Sequence, residues 1–83
     1  MNRYVFSYTG QGLRPTVAEL IGRVATLVET LAERGVDVQL GRLAVEKRDP
    51  ALVVLADILG PVDWVERAEP LLANQRIHCV PCR

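Results

Sequence analysis

"VDVQLGRLAVEKRDPALVVLADIL" occupies residues 36 to 59, and the way it is read decides the fold. Its first five residues alternate apolar and polar, the period of a half-buried strand. Gly41 interrupts, and then Leu43 and Val45 alternate again, so one reading is a strand that continues past a bulge at Gly41. Leu40, Leu43, Ala44 and Lys47 also obey helical spacing, so the other reading is a short helix over 41–47. In both, Asp49 before Pro50 makes "RDPA" (48–51) a turn, and "ALVVLADIL" (51–59) is a strongly apolar strand. A helix over 41–48 has only about two turns and a thin apolar stripe, and helices that short depend wholly on packing. The hairpin is therefore the preferred reading.

Towards the N-terminus, "RYVFSY" (3–8) is rich in β-branched and aromatic residues and predicts a strand, followed by the glycine-rich turn "TGQGLRP". From Pro15 to Arg34, Val17, Leu20, Ile21, Val24, Leu27, Val28 and Leu31 form one helical stripe. Pro15 suits the first helical position and Gly35 the left-handed residue that ends the helix. Gly22 lies mid-helix at a cost of ~1 kcal/mol relative to Ala, which suggests close approach of a neighbouring backbone. Towards the C-terminus, Gly60-Pro61 opens a second helix, "VDWVERAEPLLAN" (62–74), which Pro70 is expected to kink or restart. "RIHCV" (76–80) is the last strand, with Pro81 ending its ladder.

The fold expected is an α+β ferredoxin-like βαββαβ sandwich over residues 1–83 as a single domain, with two helices on one face of a four-stranded antiparallel sheet. With the short helix, the alternative is a small parallel α/β unit. In "ALVVLADIL" both alternate sets of side chains are apolar, and such a strand is covered on both sides. Helices cover one face of the sheet. The other face calls for a second sheet, so a homodimer is expected.

Ten basic and ten acidic residues cancel, leaving none of the cationic excess on which nucleic-acid binders rely. Lys47-Arg48 beside Arg42 reads as a solvated turn, flanked by Glu46 and Asp49. No apolar run approaches the ~20 residues that span a bilayer, and the N-terminus has no signal-peptide pattern. A cytoplasmic protein with reduced cysteines is the expectation.

The opening "YVFSYTGQGLR" resembles the start of GYD-type domains, with Tyr8, Thr9, Gln11, Gly12, Leu13 and Arg14 fitting their run. That resemblance implies a dimeric α+β barrel, in which two βαββαβ units press their sheets together. Thr9-Gly10, Arg14-Pro15 and "LAERGVDV" (31–38) are similar to an ACT regulatory domain. The ACT resemblance implies binding of small ligands, often amino acids, near the first turn at a subunit interface.

Candidate chemistry centres on that turn. Gly10-Gln11-Gly12 between strand and helix allows close backbone approach to an anion at a helix N-terminus, with Arg14 supplying charge and Thr9 and Thr16 assisting. It is neither a P-loop, which needs Gly-Lys-Ser/Thr, nor a dinucleotide turn, whose third glycine is replaced by Pro15. "DPALVVLADILGPVDW" looks like the third strand of a two-component receiver, but Ser7, Tyr8 and Thr9 stand where the Mg²⁺-holding acids belong. Asp57 is accordingly read as a strand-end residue near the surface or one that caps the turn. His78, Cys79 and Cys82 are candidate ligands for a zinc shared across a dimer, since one chain supplies at most three of four positions. As a redox pair, Cys79 and Cys82 differ by an odd number in a strand and so point to opposite faces. His78 reads as a packing or rim residue and Trp64 as a core or interface anchor.

The function expected is a non-enzymatic small-ligand-binding or regulatory module, with a homodimer partner and a small anionic ligand. The alternative is a stand-alone protein–protein interaction module, an inhibitor or adaptor using its sheet face or edge strand. An enzyme of the dimeric-barrel kind, with a pocket around His78 or Asp57, is a third class. In no case is a nucleic-acid or membrane partner expected.

Overall fold

The computed structural model describes residues 2–48 and 51–82. Its elements are β1 (Asn2–Tyr8), α1 (Val17–Glu33), β2 (Gln39–Arg48), β3 (Ala51–Leu59), α2 (Trp64–Gln75) and β4 (Ile77–Pro81). The four strands form one sheet in the order β2-β3-β1-β4, and all three ladders are antiparallel. The hairpin reading of 41–47 therefore holds, and the parallel α/β alternative does not. The register steps between Leu40↔Ile58 and Leu43↔Ala56, so two residues, Gly41 and Arg42, oppose Asp57 alone. This is the expected bulge. The turn expected at Asp49-Pro50 lies outside the described residues.

Helix α1 begins later than expected. Thr16 is its N-cap, its hydroxyl oxygen accepting from the Glu19 amide at 3.1 Å, and the same hydroxyl donates to the Glu19 carboxylate at 3.2 Å. "TVAE" is thus a capping pair of the Thr-x-x-Glu kind, and Pro15 stands before the cap instead of at the first helical position. At the other end the amide of Val36 donates to the Leu31 carbonyl (2.9 Å) and that of Gly35 to the Ala32 carbonyl (3.1 Å), with Gly35 at φ 84°. That is the six-to-one, five-to-two closure which a glycine in the left-handed region permits. Gly22, in contrast, has nothing within 4 Å of where a Cβ would lie, so no backbone approaches it.

Val36 and Val38 are buried as their alternation implied, yet β2 starts only at Gln39. Gln39 pairs with Leu59, the last residue of β3, so residues 36–38 have no strand beside them. Helix α2 starts at Trp64 and runs unbroken through Pro70. Pro70 is exposed, as is Glu66, whose carbonyl loses its intrahelical partner and is left to water. Nor does Pro81 end the β4 ladder. The bonds Thr9 N–H to Arg76 carbonyl and Cys82 N–H to Arg3 carbonyl, both 2.8 Å, fix which positions bond to β1. By antiparallel alternation these are residues 76, 78, 80 and 82, so Pro81 sits where an N–H would point away from the sheet.

Both helices pack on one face. Tyr4, Phe6, Val54, Ala56, Ile58 and Ile77 meet Leu20, Val24, Leu27 and Leu31 of α1 and Trp64, Ala68 and Leu72 of α2. Trp64 is a core anchor, 1% exposed, its ring edge-on to Tyr4 with centroids 5.0 Å apart. No helix among the described residues is long and apolar enough to cross a membrane.

The open face holds a separate cluster, Val5, Val53 and Leu55 with Ala44 beside them. In a single chain these are only 5%, 5% and 8% exposed. Val5 lies opposite Leu55, with the Arg3–Asp57 ion pair (3.1 Å) spanning the next cross-strand position on one side. On the other side Glu46 lies opposite Val53 and accepts from Arg48 at 3.4 Å. Long side chains flank the stripe, which explains why so narrow a band is shielded without a second sheet.

Candidate functional site at the glycine turn

The turn between β1 and α1 is shaped by its glycines. A Cβ at Gly10 would collide with the Tyr8 phenol and crowd the Arg76 side chain, so only glycine lets Tyr8 lie against this backbone. Gly12 has φ 90°, where a side chain is strained. Neither residue is among those lining the cavity beside the turn, and Thr9 is used structurally, its amide continuing the ladder to Arg76. These three expected ligand residues form the turn itself.

The other two, Arg14 and Thr16, line a cavity of about 230 Å³ together with Tyr8, Pro15, Val17, Leu20, Ala51 and Leu52. Its walls are mainly apolar, and among the described residues that line it Arg14 is the charged one. Lys47 lies directly opposite Leu52 in the β2–β3 ladder, so its side chain leaves the sheet on the same side. The positive end of the α1 dipole lies here too, with the Glu19 carboxylate at the same helix start held by the Thr16 hydroxyl. The Thr16 hydroxyl is committed to the cap in both directions, so its expected role as a ligand donor is not free.

Behind the cavity, the Arg23 guanidinium lies 5.7 Å from the Tyr8 ring centroid and donates to the Gln75 carbonyl at the end of α2 (3.0 Å). This arginine ties α1, β1 and the α2 terminus together and holds the Tyr8 ring. Leu52 and Arg23 are not among the residues that the sequence singles out, and Tyr8 is named there only as part of the GYD-type run, not as a ligand residue. Tyr8 shares the helix-facing set of alternation with Tyr4 and Phe6, which is a local signal. Leu52 has none, because only the placement of β3 beside β1 brings it next to Tyr8.

The other candidates are dispersed. Asp57 is half-buried and ion-paired with Arg3 on the open face, neither terminal nor a turn cap. His78 pairs with Ser7 and so faces the open side, whereas Cys79 pairs with Phe6 and faces the helices. Cys82 lies on the open side, about 13 Å along the strand from His78 at ~3.3 Å per residue. The three zinc candidates do not converge, and no group of three potential ligands occurs among the described residues. Burial pushes the Cys79 thiol up to about 12. At neutral pH it is protonated, the inert state for nucleophilic or redox work.

No protein-family model matches this chain, and no significant match to it is found among curated proteins or solved structures.

Proposed function

We propose that this chain is a non-enzymatic, ferredoxin-like ligand-binding module of the regulatory kind, whose ligand is a small amphipathic anion held in the cavity beside the β1–α1 turn. The observation that carries this reading is the pairing of Arg14 with mainly apolar walls in the cavity beside the turn, with no aspartate or glutamate among the described residues that line it. At about 230 Å³ it falls below the ~300–1,000 Å³ of pockets for drug-sized molecules, which points to a small ligand. The ligand's carboxylate or phosphate meets Arg14 and the α1 amides, and its apolar part meets Leu20 and Leu52. The resemblance to ACT domains supports the same location.

The homodimer expected from the open face loses its main argument, because Val5, Val53 and Leu55 are already shielded within one chain.

Benzoate and benzylamine share a ring and differ in charge, and thermal unfolding in each separates the readings. A ligand that binds only the folded state stabilises it by RT ln(1 + [L]/Kd). Millimolar benzoate is expected to raise Tm in the wild type and not in Arg14→Ala, and benzylamine to raise it in neither. Equal effects of the two probes, or a benzoate effect retained in Arg14→Ala, would show that the turn is not the site.

A further inference from the structure

We infer that the free edge of β4 and the flank of α2 beside it form a docking groove for an extended, lysine- or arginine-bearing segment of a partner protein. The groove, about 390 Å³, is lined by Val65, Glu66, Glu69 and Leu72 of α2 and by Ile77 and Cys79 of β4, among others. It lies apart from the glycine-turn cavity and shares no residue with it.

Its backbone chemistry follows from the register. Residues 76, 78, 80 and 82 bond to β1, so the N–H and C=O groups of Ile77 and Cys79 point outwards from the sheet edge. An edge of this kind is a template for another strand, and Pro81 limits it to a short stretch. A strand added here sends alternate side chains to the helix side, against Cys79 and Ile77 below and α2 above. There they meet an apolar strip, Val65 and Leu72, next to two carboxylates, Glu66 and Glu69. A lysine or arginine satisfies both, its aliphatic stem on the strip and its cation at the carboxylates.

The same charges argue against a second copy as occupant. Pairing β4 with β4 about a twofold axis sets the two α2 flanks side by side and brings four carboxylates together. No lysine or arginine is among the described residues that line the groove, and His78, which is, faces the open side of the sheet, away from the α2 carboxylates. Arg67, the basic residue within α2, is drawn to Asp63 at 3.0 Å.

The test is an NMR titration of the full chain with a seven-residue peptide alternating threonine and lysine, and with its threonine–glutamate counterpart. The lysine peptide is expected to shift the amides of Ile77 and Cys79, and to bind at least tenfold tighter than the glutamate peptide. Glu66→Lys combined with Glu69→Lys, both at exposed positions, is expected to reverse that preference. Cys79→Pro, which removes an outward N–H and leaves the β1 ladder, is expected to abolish binding. Absence of saturable binding at millimolar peptide would overturn the inference, as would equal affinity for the two peptides. A dimer of the free protein that protects the same amides would overturn it too and assign the edge to a second copy.

Discussion

The two faces of the sheet are built from strands of similar apolar content and are closed in different ways. On one, α1 and α2 lay a full layer over Phe6, Val54 and Ala56, leaving them 0–1% exposed. On the other, a narrow stripe of Val5, Val53 and Leu55 is flanked by charged side chains and reaches nearly the same burial with no layer above it. An apolar strand on both sides therefore does not by itself demand a partner. A stripe one or two residues wide, bordered by ion pairs, can be closed by its neighbours.

Substitutions sharpen the contrast. Phe6→Ala should cost about 3–5 kcal/mol in urea unfolding, the range for deleting a fully buried aromatic. Leu55→Ala should cost about 2 kcal/mol, the low end for buried leucine, because no overlying layer is left with a cavity. If Leu55→Ala costs as much as Phe6→Ala, and the cost depends on protein concentration, a second copy covers the open face.

Smaller effects come from α1, which closes the first face. Thr16→Ala removes the cap and should destabilise by ~1 kcal/mol. Gly22→Ala should stabilise by up to ~1 kcal/mol, since the site is exposed and a Cβ there meets nothing. A destabilising Gly22→Ala would show that something packs on that side of the helix. On the open face, a double-mutant cycle on Arg3 and Asp57 should return no more than ~1 kcal/mol, because both side chains keep substantial exposure. The pair flanks the stripe more than it strengthens it.

The cysteines report on the two faces chemically. At pH 8 a disulfide reagent should modify exposed Cys82 quickly and Cys79, on the helix side, slowly. The Cys79 thiol is raised in the fold from 9.0 to about 12, so the unfolded chain releases its proton first as pH rises. Its contribution to stability is full below pH 9 and declines between 9 and about 12, which chemical unfolding across that range checks. Two equally fast thiols at pH 8 would mean that the α2–β4 packing is open in solution.

Much of this was legible in local pattern. The α1 stripe and its terminal Gly35, the limits of β3, the bulge at Gly41 and Trp64 as a core anchor all follow from periodicity and turn chemistry. What was not legible depends on neighbours in space. β2 starts at Gln39 because β3 ends at Leu59, and Pro81 stays in β4 because its nitrogen faces outwards. The site divided in the same way. Arg14 stood out in the sequence, whereas Leu52 enters the cavity only because the sheet order sets it beside Tyr8. The capping role of Thr16 has one local signal, the Glu19 three residues on.

Mapping benzoate onto the amide spectrum of the wild type and of Arg14→Ala tests the central claim most directly. The account predicts shifts confined to Tyr8, residues 14–20, Ala51 and Leu52, and lost in Arg14→Ala. Shifts elsewhere, or shifts unchanged by the substitution, would contradict it.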